Sequence, residues 1–326
     1  MAAPLTTVPT TPTVSPTGSP GVSPGRGARR ASKPSTQHQR FNTRAGRAFD
    51  VVNVVLLVAV GMLALLPFLY VLAGSFATEL EITTRPFFLW PREFTTDSYA
   101  SILSSDAFVR AFVTTVLVTL IGTLIQLALT ALMAYPLSKV DLPGRRTIMT
   151  VVVFTMVFSA GMIPTFLVVK ELGLLDTYWA LILPMAINPF SLIIIKNFFQ
   201  QLPQELEESA KIDGAHELQI LRHVVIPLSK PVLATFALFY AVGIWNDYMS
   251  PLLYLNDQDM WTLQMFLRQV TASASMSAQD MGTELPPPAQ GIKFAVVIVA
   301  TIPVLLAYPF LQKHFAKGML IGSVKG

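Results

Sequence analysis

The sequence predicts an all-α membrane protein with six transmembrane helices. Of its 326 residues, 52% are hydrophobic and only 13% are charged, whereas soluble domains carry about 25% charged residues. The mean hydropathy of the chain is +0.56. Six apolar stretches are each long enough for a membrane helix, which needs about 20 residues to cross the hydrocarbon core. Composition and apolar stretches together predict that lipid surrounds the chain.

The predicted spans run from near residue 50 to near the C-terminus, and long loops follow the first and the fifth. The spans are 51–73, 108–135, 147–169, 179–199, 231–254 and 292–312. Prolines fall inside them at Pro67, Pro164, Pro184, Pro189 and Pro303. Each proline would cost about 3 kcal/mol inside a soluble helix. In a membrane bundle, neighbouring helices and water satisfy the carbonyl groups that proline frees.

The basic residues predict that both termini lie in the cytoplasm. With the N-terminus inside, the inner segments are 1–50, 136–146, 196–230 and 313–326, and they hold most of the 23 lysines and arginines. An excess of Lys and Arg marks the cytoplasmic side of a membrane protein.

Residues 1–44 form a separate region that is rich in Pro, Ser, Thr and Gly. Such a composition cannot bury a hydrophobic core, so we predict a disordered cytoplasmic tail, followed by a six-helix domain over 45–326. The arginine-rich stretch 26–47 favours attraction to anionic membrane lipid over binding to nucleic acid. On the outer side, the prolines near the end of 255–291 predict an irregular loop.

The side chains that several kinds of chemistry require are absent or scattered. The chain has no cysteine, which excludes disulfides and thiolate chemistry. Its four histidines lie far apart and form no metal-binding motif. No Gly-Lys dipeptide occurs, so the chain lacks the phosphate-binding loop of ATPases. We therefore predict no catalytic residues, no metal and no cofactor in this chain.

The segment 200–228 is the most informative part of the sequence, because it is too polar to span a membrane and too long for a simple connector. Pro203 marks a helix start. Glu205 and Glu207 follow in the first turns, where the helix dipole favours acids. Gly214 can end this helix in a left-handed conformation. The pattern predicts a short helix-turn-helix on the cytoplasmic side.

Two properties of this segment favour a protein partner. Leu206, Ala210 and Gly214 fall on one helical face, and small residues there let another protein approach closely. Acids outnumber bases, whereas helices that lie on lipid favour Lys and Arg on their polar face. The alternative is an amphipathic hairpin on the membrane surface, which anionic lipid would repel.

The same segment carries a specific motif. It reads Glu208-Ser209-Ala210, three residues, Gly214, nine residues, and Val224-Val225-Ile226-Pro227. This spacing resembles the EAA loop of ABC-importer permeases, which reads Glu-Ala-Ala, three residues, Gly, nine residues and Ile-x-Leu-Pro. Ser209 stands where the family pattern has alanine. The longer run around the motif resembles carbohydrate-uptake permeases of the maltose-transporter type, and the likeness covers residues 45–326.

Two further stretches resemble the same permeases. Trp245-Asn246-Asp247-Tyr248 is typical of the fifth span in this group, and the last residues, from Tyr308 to Gly326, resemble a subgroup that handles oligosaccharides or polysaccharide fragments. The resemblance thus implies a permease subunit of an ATP-driven carbohydrate importer in the bacterial plasma membrane.

This resemblance also implies a fold, a coupling site and partners. The fold is the type I ABC-importer permease, with a cytoplasmic coupling helix that docks on an ATPase. The coupling residues it implies are Glu208, Ser209, Ala210, Asp213, Gly214, Ala215 and Pro227. The implied partners are a dimer of ATPase subunits that binds ATP and Mg²⁺, a second and different permease subunit, and an extracytoplasmic solute-binding protein.

Polar residues within the spans are candidates for the substrate path, because burying them against lipid is costly. They are Gln126, Asn188, Trp245, Asn246, Asp247 and Tyr248. Aromatic faces and planar hydrogen-bonding groups suit sugars. An equally good interpretation of 245–248 is an interfacial belt, where aromatic and charged residues are ordinary.

Three other functions remain open from the residues alone. A permease for another solute class would carry the same coupling loop. An ion-driven secondary transporter would need buried ionisable residues near the midplane, for which Asp247 is the one candidate. A membrane enzyme would need clustered catalytic groups.

Overall fold

The computed structural model describes residues 44–275 and 290–322, and helices dominate this part of the chain. Strand pairing in the same residues is limited to one isolated bridge between Ala77 and Phe94. The predicted disordered tail, up to residue 43, and the proline-rich part of the second outer loop lie outside the described residues. The all-α class is therefore confirmed for the described residues.

The helices are numbered here in chain order. They are α1 (Arg44–Ser75), α2 (Glu79–Thr84), α3 (Asp97–Leu103), α4 (Asp106–Ser138), α5 (Arg145–Val157), α6 (Met162–Glu171), α7 (Trp179–Met185), α8 (Pro189–Gln200), α9 (Gln204–Ile212), α10 (Glu217–Leu228), α11 (Lys230–Trp245), α12 (Met249–Tyr254), α13 (Leu263–Ser275) and α14 (Gln290–Gly322).

Three helices of the described chain are long and apolar enough to cross a membrane. They are α1 from Phe49, α4, and α14 as far as Ala307. Three pairs of shorter helices also qualify if each pair forms one bent span: α5 with α6 at 118°, α7 with α8 at 55°, and α10 with α11 at 86°. By length and composition, the described residues therefore hold three clear candidate spans, and up to six if each bent pair is one span.

The chain divides into two units, Met1–Leu57 and Val58–Gly326. In the first unit, the described residues from Arg44 onward are helical, and the apolar side chains from Phe49 to Leu57 are exposed. Large exposed apolar side chains on a helix need lipid or another protein around them. The second unit contains the remaining helices and the buried core.

Prolines mark several of the helix breaks. Pro189 is the first residue of α8, where its missing N–H costs nothing, and Asn188 caps the same helix by accepting from the Ser191 N–H at 3.1 Å. Between α5 and α6, Gly161 has φ +84°, a conformation that glycine adopts without steric cost. By contrast, Pro67 lies inside α1.

The largest buried cluster joins α4, α8, α10 and α11. Its members include Tyr135 on α4, Leu192 and Ile195 on α8, Val225 on α10 and Phe236 on α11. This cluster lies directly beneath the polar segment that connects α8 to α11. The segment therefore rests on a packed apolar base.

The outer loop 255–291 is more regular than its composition suggests, because α13 lies within it. The Leu263 N–H at the start of α13 donates to the buried Thr115 hydroxyl at 2.7 Å. Phe266 packs edge-on against Phe108, with ring centroids 5.6 Å apart. The prediction of an irregular loop is wrong for this part, because apolar residues three and four positions apart give α13 a face that packs on α4 and α14.

Candidate functional site

The segment between α8 and α11 folds as the predicted short helix-turn-helix. Its first helix, α9, begins after Pro203, and Glu205 and Glu207 lie in its first turn, where they interact favourably with the helix dipole. The helix is followed by Gly214 at φ +83°. The predicted left-handed ending at this glycine is therefore confirmed.

Two hydrogen bonds close the end of α9. The Gly214 N–H donates to the Lys211 carbonyl at 3.0 Å, and the Ala215 N–H donates to the Ala210 carbonyl at 2.9 Å. This pair of bonds defines a Schellman motif, which satisfies the last carbonyls of a helix and requires a left-handed residue. The turn that leads from α9 to α10 is thus fixed by its backbone.

One face of α9 packs on the bundle and the other is exposed. Ala210 packs inward on the buried cluster beneath the segment, as do Leu202 and Ala215 on either side of the helix. The other face carries Ile212, which is 87% exposed. Ile212 is thus the most exposed large apolar side chain of α9.

This arrangement differs from the small-residue docking face that the sequence suggests. Ala210 faces the bundle, so the exposed apolar surface of α9 depends on a larger residue, Ile212. A β-carbon added to Gly214 would meet no atom of this chain within 4 Å. Gly214 therefore faces open space and is required by its backbone angle.

The remaining predicted coupling residues lie on or near the exposed face. Glu208 and Asp213 are exposed, and neither forms an ion pair within the described residues. The Ser209 hydroxyl donates to the Glu205 carbonyl at 2.7 Å. Pro227 lies in the last turn of α10, just before the 86° bend. Glu208 and Asp213 thus leave two carboxylates free for a partner.

A second set of contacts ties α9 and α10 to the inner end of α4. The Tyr135 hydroxyl donates to Glu217 Oε2 at 2.6 Å, and Lys211 Nζ lies 2.8 Å from Glu217 Oε1. Lys139 pairs with Glu207 and lies 4.5 Å from the centroid of the Tyr135 ring. The Lys211 ammonium and the Tyr135 hydroxyl lower the pKa of the Glu217 carboxyl. Glu217 is therefore ionised at neutral pH.

Sequence reasoning missed these α4 residues. Tyr135 ends an apolar run and Lys139 follows it, which is common at a membrane interface. The hydroxyl and the carboxylate of Tyr135 and Glu217 meet although the two residues lie 82 positions apart in the chain. No local pattern specifies such a pairing.

The second helix, α10, contains a π-helical turn over Leu221–Val225. Such turns often occur at functional sites. At the following bend, Ser229 is fully buried, and its hydroxyl has no partner among the described residues. Because of this bend, the axis of α10 lies at 86° to the axis of α11.

The structure gives several candidates for the substrate path a local structural role. Trp245 is buried, and its indole N–H donates to the Ala300 carbonyl at 3.0 Å. Asn188 caps α8. Asp247 accepts from the N–H groups of Met249 and Ser250 at 3.0 and 3.1 Å, so it caps α12.

The other candidates are less constrained. Gln126 is buried in α4, while Asn246 is exposed and donates to the Val242 carbonyl of its own helix at 2.9 Å. Tyr248 is exposed, and the Arg268 guanidinium lies 5.1 Å from its ring centroid. No hydrogen bond joins any two of the candidates in the described chain, so they form no single cluster and their role stays a prediction.

Candidate ligands for metals are also dispersed. Among the described residues, no group of three or more His, Asp or Glu side chains is placed to hold a metal ion.

These features are those of a helical membrane protein with a short helix, α9, packed beside its bundle. Residues 126–321 match the family model described as "Binding-protein-dependent transport system inner membrane component". The chain belongs to this family. The predicted resemblance to ABC-importer permeases is thereby confirmed.

Curated relatives and a solved structure agree with this family. The chain is 60% identical to "Protein LplC" of Bacillus subtilis over 89% of this chain and 99% of that protein. It is 55% identical to the "Polygalacturonan/rhamnogalacturonan transport system permease protein YtcP" of the same organism, over 86% and 99% of the two chains.

The solved structure is a bacterial ABC transporter involved in the import of the acidic polysaccharide alginate. One of its chains matches with a TM-score of 0.79 and 34% identity, over 84% of this chain and 99% of that one.

Proposed function

We propose that this chain is the membrane-spanning subunit of an ATP-driven carbohydrate importer, and that α9 is the helix on which its ATPase partner docks. The observation that carries the proposal is the exposed face of α9. Ile212 is 87% exposed there, beside the free carboxylates of Glu208 and Asp213. An apolar anchor surrounded by polar groups is the usual composition of a protein interface.

The substrate class we infer is an oligosaccharide or a polysaccharide fragment. The names of two similar proteins support this class, since one concerns polygalacturonan and rhamnogalacturonan and the other alginate. These polymers carry carboxylates on their sugars. The exposed Tyr248 ring with the Arg268 guanidinium beside it offers an aromatic face and a cation to such a sugar. A permease for another solute class is the alternative.

The proposed orientation places six spans in the bacterial plasma membrane with both termini in the cytoplasm. Lys139 directly follows α4, Arg145 and Arg146 are the first residues of α5, and Lys139 contacts α9 through Glu207. The basic loop and the docking helix thus share one side of the bundle. Since basic loops face the cytoplasm, α9 faces the ATPase compartment.

The proposed assembly is that of the binding-protein-dependent permease family to which the chain belongs. This chain has no phosphate-binding loop motif in its sequence, so ATP and Mg²⁺ bind to a separate dimer of ATPase subunits. A second, different permease subunit completes the path, and an extracytoplasmic solute-binding protein delivers the sugar. Membrane lipid surrounds the exposed apolar side chains of α1.

Affinity purification from native membranes tests the docking site. Ile212→Ser removes the apolar anchor without breaking a described contact, and Leu80→Ser is the matched control, because Leu80 is 74% exposed on α2. We expect wild type and Leu80→Ser to bring down an ATPase subunit and a second permease. Ile212→Ser should lose the ATPase, since buried anchors dominate binding energy. Equal ATPase recovery with Ile212→Ser would contradict the proposal.

A further inference from the structure

We propose that Tyr135 and Lys139 are positioning residues that fasten the docking helix to span 2, so that α9 and the inner end of α4 move as one body. The inference rests on the proposed function, because it concerns how movement of the ATPase reaches the spans. It adds a second path of transmission to the covalent connections at either end of α9.

The clamp consists of contacts at both ends of α9. Near the start of the helix, Lys139 pairs with Glu207. Beyond its end, Glu217 accepts from the Tyr135 hydroxyl at 2.6 Å and from the Lys211 ammonium at 2.8 Å. Two points of attachment prevent both sliding and rotation of a rigid helix, whereas one point would leave rotation free.

A third contact closes the clamp from α8. The Gln200 amide donates to the Ser138 carbonyl at 3.1 Å, which joins the last residues of α8 and α4. The inner ends of α4 and α8 and the contacts at both ends of α9 therefore lie around Tyr135 and Lys139.

The chemistry of these contacts makes the clamp strong. Tyr135 is buried, and a buried hydroxyl that donates to a carboxylate forms a short, charge-assisted bond. The Lys139 ammonium interacts with both the Glu207 carboxylate and the Tyr135 ring. Partly buried charges are screened by salt much less than exposed ones. The apolar packing of Ala210 and Ala215 alone would not fix the orientation of α9, because such packing is not directional.

Rigid-body transmission has a physical requirement that the clamp meets. Rigid-body shifts of helices and domains carry a movement at one site to another through packed, stiff elements. Here α9 is closed by its Schellman turn, α4 is a continuous helix of 33 residues, and the clamp joins them directly.

Distance measurements between two spin labels test the inference in the assembled complex. The chain has no cysteine, so Val140→Cys beside α4 and Glu205→Cys on α9 give unique label sites, and both positions are exposed. In the otherwise wild-type chain we expect the same label distance with and without ATP and vanadate. Tyr135→Phe should let the distance shift or broaden by about 2 Å or more on trapping, the scale of helix shifts in switching proteins.

A matched control and a rescue separate positioning from general stability. Tyr240→Phe removes a hydroxyl of the same buried cluster whose hydrogen bond runs to Thr130 of α4 at 3.0 Å and not to Glu217, and it should behave as wild type. Lys139→Glu should let the distance between the two labels shift or broaden on trapping, as Tyr135→Phe does. Combining it with Glu207→Lys restores an opposite-charge pair and should restore the narrow distance.

Two outcomes would overturn the clamp. One is a label distance in the wild-type background that changes on trapping, because α9 would then move independently of α4. The other is an unchanged distance in both Tyr135→Phe and Lys139→Glu. Failure of the proposed function would look different, since the purified wild-type chain would then carry no ATPase subunit.

Discussion

Gly214 illustrates how a single residue fixes the end of a helix, here α9. Its φ of +83° and the two backbone bonds around it define the turn, and the position of its absent β-carbon meets nothing within 4 Å. The need for glycine is therefore conformational within this chain. Close approach of a partner to Gly214 is a separate point, which belongs to the proposed docking.

Substitutions at Gly214 should loosen the end of α9. Gly214→Ala forces a β-carbon into the left-handed region, at about 1 kcal/mol, whereas Asn tolerates this region better. We expect the amides of Gly214→Ala around residues 214 and 215 to exchange hydrogen about fivefold faster than in wild type, and those of Gly214→Asn to change less.

Gly243→Ala is the matched control, because Gly243 lies inside α11 with nothing within 4 Å of an added β-carbon and no positive φ. In Gly243→Ala, hydrogen exchange of the amides at residues 214 and 215 should be the same as in wild type. Unchanged exchange in Gly214→Ala would show that the turn does not depend on glycine.

At the level of elements, the broken spans are the main departure from the sequence prediction. Apolar length and composition predicted where the spans lie, because these properties are local. The 118° bend between α5 and α6, where Gly161 has a positive φ, and the 86° bend before α11 were not predicted from the sequence. Pro189 signalled the start of α8, yet prolines alone do not distinguish a bend from a straight span, since Pro67 lies within α1.

The role of Asn188 can be determined by testing its capping of α8 separately from a contact with substrate. Asn188→Ala removes the acceptor for the Ser191 N–H and should lower stability by about 1 kcal/mol, measured as a lower thermal midpoint of the purified complex. Asn188→Ser retains a capping oxygen and should remain near wild type in both stability and uptake. If Asn188→Ser kept its stability but lost uptake of an oligosaccharide that the wild-type complex imports, Asn188 would belong to the substrate path.

For the whole molecule, the sequence predicted the class of protein, which the family match confirms, while the roles of the docking and path residues stay predictions. The motif around Glu208 and Gly214 has a fixed spacing, so it could be identified without a structure. Trp245 and Asp247 looked like path residues because they are polar groups near a span. Their partners, Ala300 and the amides of α12, are set by the local ends of helices and by packing, which the pattern does not reveal.

The central claim is that α9 contacts an ATPase subunit through Ile212, and site-specific photo-cross-linking in native membranes tests it most directly. Because the chain lacks cysteine, Ile212→Cys carries the only label, and Leu80→Cys provides the matched exposed control. The account predicts a product that joins this chain to an ATPase subunit from Ile212→Cys and none from Leu80→Cys. Cross-linking of Ile212→Cys to lipid alone would contradict it and favour a hairpin lying on the membrane.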